Sequence, residues 1–375
     1  MPQKRLKILM IGYLPPPYFG PSTAYTALLH SEFARRFDVT FLDITVAKSV
    51  SDIEKFRVGK LFKMLGFLTR ELWLLMTHRF DYACGLISVN RNAFIKDAAL
   101  LDMARLFGVP TVIYAHGNNI PDFHDHSRPW LQRLIARTCR SAAGGIVLGK
   151  SLRFNFERWL PQDRIFEVPG GFVPSETIPI ASKQPGVITV VYLGLMVREK
   201  GVFVLLEAAN KIAKQRNDIR FMFMGTWFRA EEEVSARQFV KDHQLDSQVT
   251  FLGPVSNESK WQTLVDADIF AFPTFYYYET MGSVLLEAMQ AGLAIVATRR
   301  ATIPEVVHEG VQGLLVNEQD PDDLADKILK LADDPALRAR MGAAGRQRFD
   351  DFYTHEHYGR RMGNVFEQLA ARRDP

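Results

Sequence analysis

Residues 275–298 read FYYYETMGSVLLEAMQAGLAIVAT. The aromatic-rich start of this segment carries one carboxylate, Glu279, and the apolar-periodic part from Val284 to Gln290 predicts a helix that carries a second, Glu287. Gly292 is suited to end that helix, and the β-branched residues after it predict the next parallel strand. Because Glu279 lies in the loop before the helix, we expect both carboxylates to reach into one cleft above the helix N-terminus.

This helix N-terminus is a candidate anion site. Free backbone N–H groups around Gly282, Ser283 and Val284, together with the helix dipole, favour a negative ligand. Gly282 has no Cβ, so a phosphate can approach the backbone closely. Glu287, one turn in, is placed to accept hydrogen bonds from a vicinal diol such as a ribose. A solvated helix start would explain Glu279 alone, but Glu287 lies among apolar neighbours.

The segment resembles the E-x7-E motif of the family-4 (group 1) retaining glycosyltransferases, which have the GT-B fold. Seven residues separate Glu279 from Glu287, and the following EAMQAGLAIVAT and IPEVV, through Val307, are also similar to the family. The resemblance covers nearly the whole chain and is strongest from Ile188 to Val316. It implies an α/β protein with two Rossmann-like domains whose parallel sheets face each other across a cleft.

The order of apolar runs along the chain supports this architecture. Strand-like runs alternate with helical patterns, which predicts βαβ units and parallel sheets. We expect an N-terminal acceptor-side domain over residues 1–172, a linker near 170–186 and a nucleotide-sugar-binding domain over 187–350. The resemblance implies that a last helix, about 352–372, packs back on the first domain. The predicted strands are Lys7–Tyr13, Val39–Ile44, Tyr82–Val89, Thr111–Ala115, Gly145–Leu148, Ile165–Val168, Ile188–Gly194, Ile219–Gly225, Val249–Gly253, Ile269–Pro273, Ile295–Thr298 and Gly313–Val316.

The resemblance assigns three further candidate residues. His116 follows a predicted strand at the position where family members place a histidine beside the transferred sugar, although a lone histidine is more often structural. Lys200 matches a family lysine that binds the donor diphosphate, whereas the family's arginine is replaced by Leu195. Arg198 is a candidate source of the missing charge.

The loop after the first strand, PPPYFGPSTAYTALL, gives one more candidate. We expect Gly20 to lie in a loop that faces phosphate or acceptor, and a helix cap formed by Ser22 is the alternative. Relatives carry a glycine pair here, whereas Pro21 removes one N–H donor. The same loop argues against a nicotinamide dehydrogenase, because it lacks G-x-G-x-x-G.

No metal site is expected. Asp266 and Asp268 spell D-x-D, but at the amino end of a predicted strand, where we expect a turn. The resemblance implies no metal and no cofactor, with a nucleoside-diphosphate sugar as co-substrate and a UDP-sugar by default. Four residues of one polar loop lack the spacing of a zinc site: Asp122, His124, Asp125 and His126.

The composition indicates a cytoplasmic protein with an anionic partner. Two cysteines are too few for a disulfide framework, and no apolar run approaches the roughly 18 residues of a membrane span. Residues 1–175 carry a net charge of +9 and the remainder −5, so we expect the first half to meet an anionic surface or acceptor. Nucleic acid is not expected, because no basic stretch is interleaved with aromatic residues in a binding pattern.

Residues 55–78 form a basic amphipathic segment. Apolar residues recur at helical spacing, and such a segment either lies peripherally on an anionic membrane or serves as a crossover helix on its sheet. Both alternatives stay open, with the crossover helix favoured slightly. The basic residues are Lys55, Arg57, Lys60, Lys63 and Arg70.

The resemblance implies a retaining glycosyltransferase, and we expect it to act in cell-surface polysaccharide or glycolipid biosynthesis. Its acceptor would be a glycan or a lipid-linked hydroxyl. The resemblance gives Glu279, His116 and Lys200 roles at the transferred sugar and the leaving group. The alternatives are a nucleotide-sugar epimerase of the same fold and a non-catalytic partner subunit, the latter supported by Leu195 and Pro21.

Overall fold

The computed structural model describes residues 5–45, 58–117 and 119–373. The chain divides into two compact units, Met1–Val173 with Tyr353–Pro375, and Pro174–Phe352. Each unit contains one six-stranded sheet in which every described strand pair is parallel. The predicted α/β class with two parallel, Rossmann-like sheets is confirmed.

The first unit has the sheet order 2-1-3-4-5-6. Its strands read as nearly continuous apolar runs because helices cover both faces of a parallel sheet. The strands are β1 (Lys7–Gly12), β2 (Asp38–Asp43), β3 (Tyr82–Leu86), β4 (Thr111–Tyr114), β5 (Gly144–Val147) and β6 (Ile165–Glu167). The helices are α1 (Gly20–Leu29), α2 (Glu32–Arg36), α3 (Val58–Thr77), α4 (Arg91–Leu106), α5 (Ile120–Asp125), α6 (Pro129–Arg140) and α7 (Phe154–Glu157).

The second unit has the sheet order 12-11-10-7-8-9. Its strands are β7 (Ile188–Leu193), β8 (Ile219–Met224), β9 (Val249–Gly253), β10 (Ile269–Phe272), β11 (Ala294–Thr298) and β12 (Gly313–Val316). Its helices are α8 (Val202–Ala213), α9 (Ala230–Asp242), α10 (Asn257–Asp266), α11 (Val284–Gln290), α12 (Ile303–Val306), α13 (Pro321–Asp333) and α14 (Pro335–Arg348). The last helix, α15 (His355–Ala371), belongs to the first unit.

The continuous apolar pattern over residues 24–36 predicts one helix, and that prediction is wrong. α1 ends at Leu29 and α2 begins at Glu32, because Ser31 interrupts the helix. The Ser31 hydroxyl donates to the Leu28 carbonyl at 2.6 Å and accepts from the Phe33 amide at 3.2 Å. Ser31 is therefore the N-cap of α2.

Helix α15 covers the break between α1 and α2. It packs against both helices, and a Cβ placed on Gly359 would lie 2.0 Å from Ser31 Oγ. The ring of Phe366 lies 5.7 Å from that of Phe33 and 6.3 Å from that of Phe37, measured between centroids. Residues that are distant in sequence thus complete the core of the first unit.

Helix α3 is a crossover helix with a second, exposed apolar face. Leu74 and Leu75 are buried in the core, and Phe67 and Leu68 pack against it. Lys55 and Arg57 lie outside the described residues, as do the side chains of residues 58–62. None of the described helices has the length and apolar character needed to cross a membrane. From residue 63 to the end of α3, the exposed large apolar side chains are Leu65, Leu72, Trp73 and Met76.

Glu71 on the packed side of α3 is a buried carboxylic acid. Its side chain is fully buried, and neither carboxyl oxygen has a hydrogen-bond partner among the described residues. Burial raises the pKa of this carboxyl from 4.5 to about 8. The folded protein therefore holds a proton on Glu71 at neutral pH, whereas an unfolded chain does not.

We expect Glu71→Gln to reduce the pH dependence of stability. Between pH 4.5 and 8 the folded state binds a proton that the unfolded state lacks, so the wild-type unfolding free energy falls as pH rises through this window. Relative to wild type, the variant should gain about 3–4 kcal/mol between pH 5 and pH 8 in urea denaturation. Glu157→Gln, at an exposed site, is the control. An equal pH dependence in wild type and Glu71→Gln would refute the expectation.

Candidate functional site

The sheet order of the second unit creates a gap at the carboxyl ends of the neighbouring strands β7 and β10. From β7 the chain proceeds to β8 and β9 on one side, and β10, β11 and β12 lie on the other side. The loops that follow β7 and β10 therefore diverge from neighbouring positions, and ligands of open parallel sheets bind at such switch points. Most candidate residues of this unit lie in these two loops or at the helix that follows β10.

A close backbone approach joins the two loops. Gly201 has φ +85°, and a Cβ there would lie 2.1 Å from the carbonyl oxygen of Pro273. The Phe275 amide donates to the carbonyl of Glu199 at 2.9 Å. Glycine is required at position 201 both for its φ and for this contact.

This approach brings Lys200 against Glu279. Lys200 Nζ lies 2.6 Å from Glu279 Oε2, although the residues are 79 positions apart. The hydroxyl of Thr274 donates to the same oxygen at 3.2 Å, and Nζ lies 5.0 Å from the centre of the Tyr276 ring. The Glu279 side chain is largely buried, so its charge is compensated locally. Lys200 and Glu279, predicted separately, form one ion pair.

Glu287 is also paired, but with a residue that the sequence analysis does not identify. Its side chain is mostly buried on α11, and Lys260 Nζ on α10 lies 2.6 Å from its Oε1. Burial raises the pKa of the Glu287 carboxyl, and the nearby lysine opposes that rise. Lys260 is 27 residues from Glu287 and on another helix, so no motif spacing in the sequence predicts that the two residues pair. That Glu279 and Glu287 serve one cleft stays a prediction.

The start of α11 is open on one side. Gly282 adopts φ +67°, and a Cβ at this position would lie 2.9 Å from Phe272 Cε1. Glycine therefore suits this position for structural reasons, in addition to the predicted phosphate contact. Ser283 is exposed and makes no side-chain capping hydrogen bond. Val284, the first helical residue, is partly exposed. These positions are compatible with an anion at the backbone amides.

Arg198 is exposed, and its guanidinium carbon lies 3.9 Å from the centre of the Phe203 ring. Its backbone amide donates to Glu232 Oε2 at 2.9 Å. The guanidinium therefore stacks on an aromatic face in the first turn of α8. Its role as a substitute for the arginine absent at Leu195 stays a prediction.

The candidates of the first unit lie at the carboxyl ends of its strands. His116 follows β4, and the centroid of its ring lies 4.2 Å from that of Tyr114. Burial of its imidazole lowers the pKa to about 3, so the ring is neutral at physiological pH. Gly20 is the exposed first residue of α1, and Ser22 Oγ accepts from the Phe19 amide at 3.0 Å. The expected helix-start role of Ser22 is thus present, and it does not exclude a ligand at Gly20.

The two acidic patterns set aside in the sequence have structural partners. Asp125 pairs with Arg158 at 2.6 Å. Asp268, at the start of β10, accepts from the Thr189 amide at 2.9 Å and pairs with Lys183 at 3.1 Å. Within residues 5–45, 58–117 and 119–373, no group of three or more His, Cys, Asp or Glu side chains is arranged to hold a metal ion.

Comparison with known proteins identifies a family that is similar to the second unit. The family described as glycosyl transferases group 1 matches residues 175–348, nearly the whole second unit. Residues 175–348 are thus similar in sequence to the group 1 glycosyltransferases. The resemblance based on Glu279, Glu287 and the residues after them is confirmed.

Individual relatives extend the comparison to the rest of the chain. A D-inositol 3-phosphate glycosyltransferase of Pseudarthrobacter chlorophenolicus is 35% identical over 43% of this chain and 38% of its own length. A GDP-mannose-dependent monoacylated alpha-(1-6)-phosphatidylinositol monomannoside mannosyltransferase of Corynebacterium glutamicum is 32% identical over 46% and 45%. The matched part thus spans less than half the length of these curated relatives.

A solved structure shows that the fold extends over both units. The crystal structure of Anabaena HepE in complex with UDP has a TM-score of 0.72, 16% identity, and coverage of 97% of this chain and 100% of that chain. At this identity the similarity shows the fold alone. The chain has the GT-B glycosyltransferase fold.

We expect Gly201→Ala to destabilise the second unit. The substitution combines a strained φ with a clash against Pro273, which costs at least about 1–3 kcal/mol. Thermal unfolding followed by circular dichroism should show a clear fall in Tm. Gly66→Ala is the control, because its Cβ meets nothing within 4 Å and alanine favours its helix. Equal melting temperatures for Gly201→Ala and wild type would contradict this reading of the contact.

Proposed function

We propose that the chain is a retaining glycosyltransferase that moves a sugar from a nucleoside-diphosphate sugar to an acceptor hydroxyl. The observation that carries the proposal is the Lys200–Glu279 pair beside the start of α11, in a unit similar to the group 1 family. The pair presents a cation for a leaving phosphate and a carboxylate for sugar hydroxyls. Polysaccharide or glycolipid biosynthesis is the proposed setting, because the relatives include inositol-lipid mannosyltransferases.

The donor would lie across the switch point of the second unit. Glu287 would accept hydrogen bonds from the ribose, and Lys200 with the amides of residues 282–284 would neutralise the departing diphosphate. Arg198 is proposed to add charge at the same end. Positive groups placed where charge develops in the transition state are usually the largest catalytic contribution. We propose UDP as the default nucleotide, supported by the UDP complex of a protein with the same fold.

We propose that Glu279 binds hydroxyls of the donor sugar, and that His116 has the sugar-contacting role that the family resemblance implies. Glu279 already accepts from Lys200 and Thr274, which fits hydroxyl binding better than nucleophilic attack. His116 is neutral, so it would act as a hydrogen-bonding group without charge. We therefore propose a front-face reaction in which the leaving phosphate helps to deprotonate the acceptor, with no double-displacement nucleophile and no required metal.

Two substitutions separate the proposed roles of the carboxylates. Glu287→Gln should weaken UDP binding about tenfold or more, because a hydrogen bond to a charged group is lost. Glu279→Gln should lower kcat by a similar factor and change UDP affinity little. Titration calorimetry measures the first effect, and release of UDP from a panel of UDP-sugars with membrane extract measures the second.

The same assays test the alternative functions. Unchanged binding and transfer in both variants would remove these assignments. Absence of nucleotide binding in the wild type would favour the partner subunit, and conversion of a donor without acceptor would favour an epimerase. Asp268→Asn is a matched control, since this carboxylate also pairs with a lysine in the second unit but on the amino side of β10.

We also propose that the exposed face of α3 contacts an anionic membrane from the cytoplasmic side. Leu65, Trp73 and Met76 are more than half exposed and lie at positions that share one helix face. Lys63 and Arg70 are exposed on the same helix. Apolar residues that enter the interface and cations that remain near anionic headgroups together favour such binding. A lipid-linked acceptor would then be presented near the first unit.

We expect the double substitution of Trp73→Ser and Met76→Ser to lower the affinity for phosphatidylcholine–phosphatidylglycerol vesicles about tenfold or more, because two apolar anchors are lost. Co-sedimentation with the vesicles measures this affinity. Leu106→Ser is the control, since Leu106 is an exposed apolar residue on α4. Wild-type binding should also fall as salt increases. Vesicle binding that is equal in all three proteins would rule out α3 as the contact.

A further inference from the structure

The Lys260–Glu287 pair joins two helices of the second unit. Lys260 lies in α10, and its Nζ is 2.6 Å from Glu287 Oε1. The Lys260 side chain is 20% exposed to solvent and the Glu287 side chain 11%, so the contact is largely shielded from water. Nζ also lies 5.4 Å from the centre of the buried Trp261 ring. Packing and ion pairing thus fix the lysine beside one carboxylate oxygen.

A carboxyl group in this position needs such a partner to serve as an acceptor. All residues of α11 from Leu285 to Gln290 are buried, which favours the protonated acid. A protonated carboxyl carries one donor and loses acceptor capacity, whereas a carboxylate has two oxygens with about four lone-pair sites. The lysine favours the charged form, and its contact occupies one of these sites.

The remaining lone pairs suit a cis-diol. Both hydroxyls of a ribose can donate to one carboxylate, and such charge-assisted hydrogen bonds are stronger than those to a neutral acid. A neutral or freely rotating Glu287 would bind the diol less well. A lysine that keeps Glu287 charged and oriented would therefore contribute to recognition without itself touching the nucleotide.

We propose that Lys260 is a positioning residue for ribose recognition, holding the Glu287 carboxylate charged and oriented to accept the 2′- and 3′-hydroxyls of a nucleoside diphosphate. This inference rests on the proposed donor site of the second unit. On this proposal, the protein prefers ribonucleotides over deoxyribonucleotides because of the Lys260–Glu287 ion pair between α10 and α11. The nucleobase plays no part in it.

The test measures sugar discrimination instead of affinity alone. UDP, GDP and their 2′-deoxy analogues are titrated calorimetrically into the full chain. We expect the wild type to bind the ribonucleotides about tenfold or more tightly than their 2′-deoxy analogues. Lys260→Met should reduce that preference about fivefold or more, mainly by lowering the affinity for the ribonucleotides. Lys260→Arg should retain most of the preference. Lys183→Met, which breaks the Lys183–Asp268 pair of the same unit, should leave it unchanged.

The outcomes separate this inference from the proposed function. A wild type that binds no nucleotide overturns the proposed donor site and the inference with it. Nucleotide binding without ribose preference, or an unchanged preference in Lys260→Met, overturns the inference alone. An equal loss of affinity for ribonucleotide and deoxynucleotide in Lys260→Met also overturns it, since the loss of a lysine with a purely structural role would have that effect. If Lys260→Met does not fold, Lys260→Gln provides the same comparison with a neutral polar side chain.

Discussion

The contact between Gly201 and the carbonyl of Pro273 is the constraint on which the candidate site depends. It lets the loop after β7 lie directly against the loop after β10, and the Phe275–Glu199 hydrogen bond fixes their register. Any side chain at position 201 would separate the loops. Lys200, the preceding residue, would then lose its place beside Glu279. The site is thus positioned by backbone geometry before any charge is considered.

Electrostatics adds a second level of organisation. Two buried glutamates in the second unit each face one lysine from another segment, at 2.6 Å in both cases. A buried carboxylate without a partner is costly, and a paired one loses much of that cost when its geometry is good. Glu71 shows the opposite situation, because burial without a hydrogen-bond partner in the described part of the chain raises its pKa to about 8. The same residue type is therefore paired with a lysine in the second unit and left to burial alone in the described part of the first.

Much of this architecture is readable in the sequence. All twelve strands were predictable, with ends within a few residues, because parallel strands buried on both faces are continuous apolar runs. The segment around Glu279 and Glu287 was predictable because its residues are contiguous. The cap at Ser31 was missed because the apolar periodicity runs through it. The lysine that faces Glu287 was missed because only tertiary structure brings α10 to α11, and no local pattern records that contact.

The return of α15 to the first unit has a consequence for biosynthesis. Phe33 and Phe37 receive their aromatic cover from Phe366, which the ribosome adds more than 300 residues later. Domains generally fold in the order in which they emerge, but this one has to wait for its final helix. Until then the nascent chain presents an apolar seam along α2, and the whole second unit emerges during that interval. We therefore expect this seam to be accessible to chaperones for as long as the second unit is being synthesised.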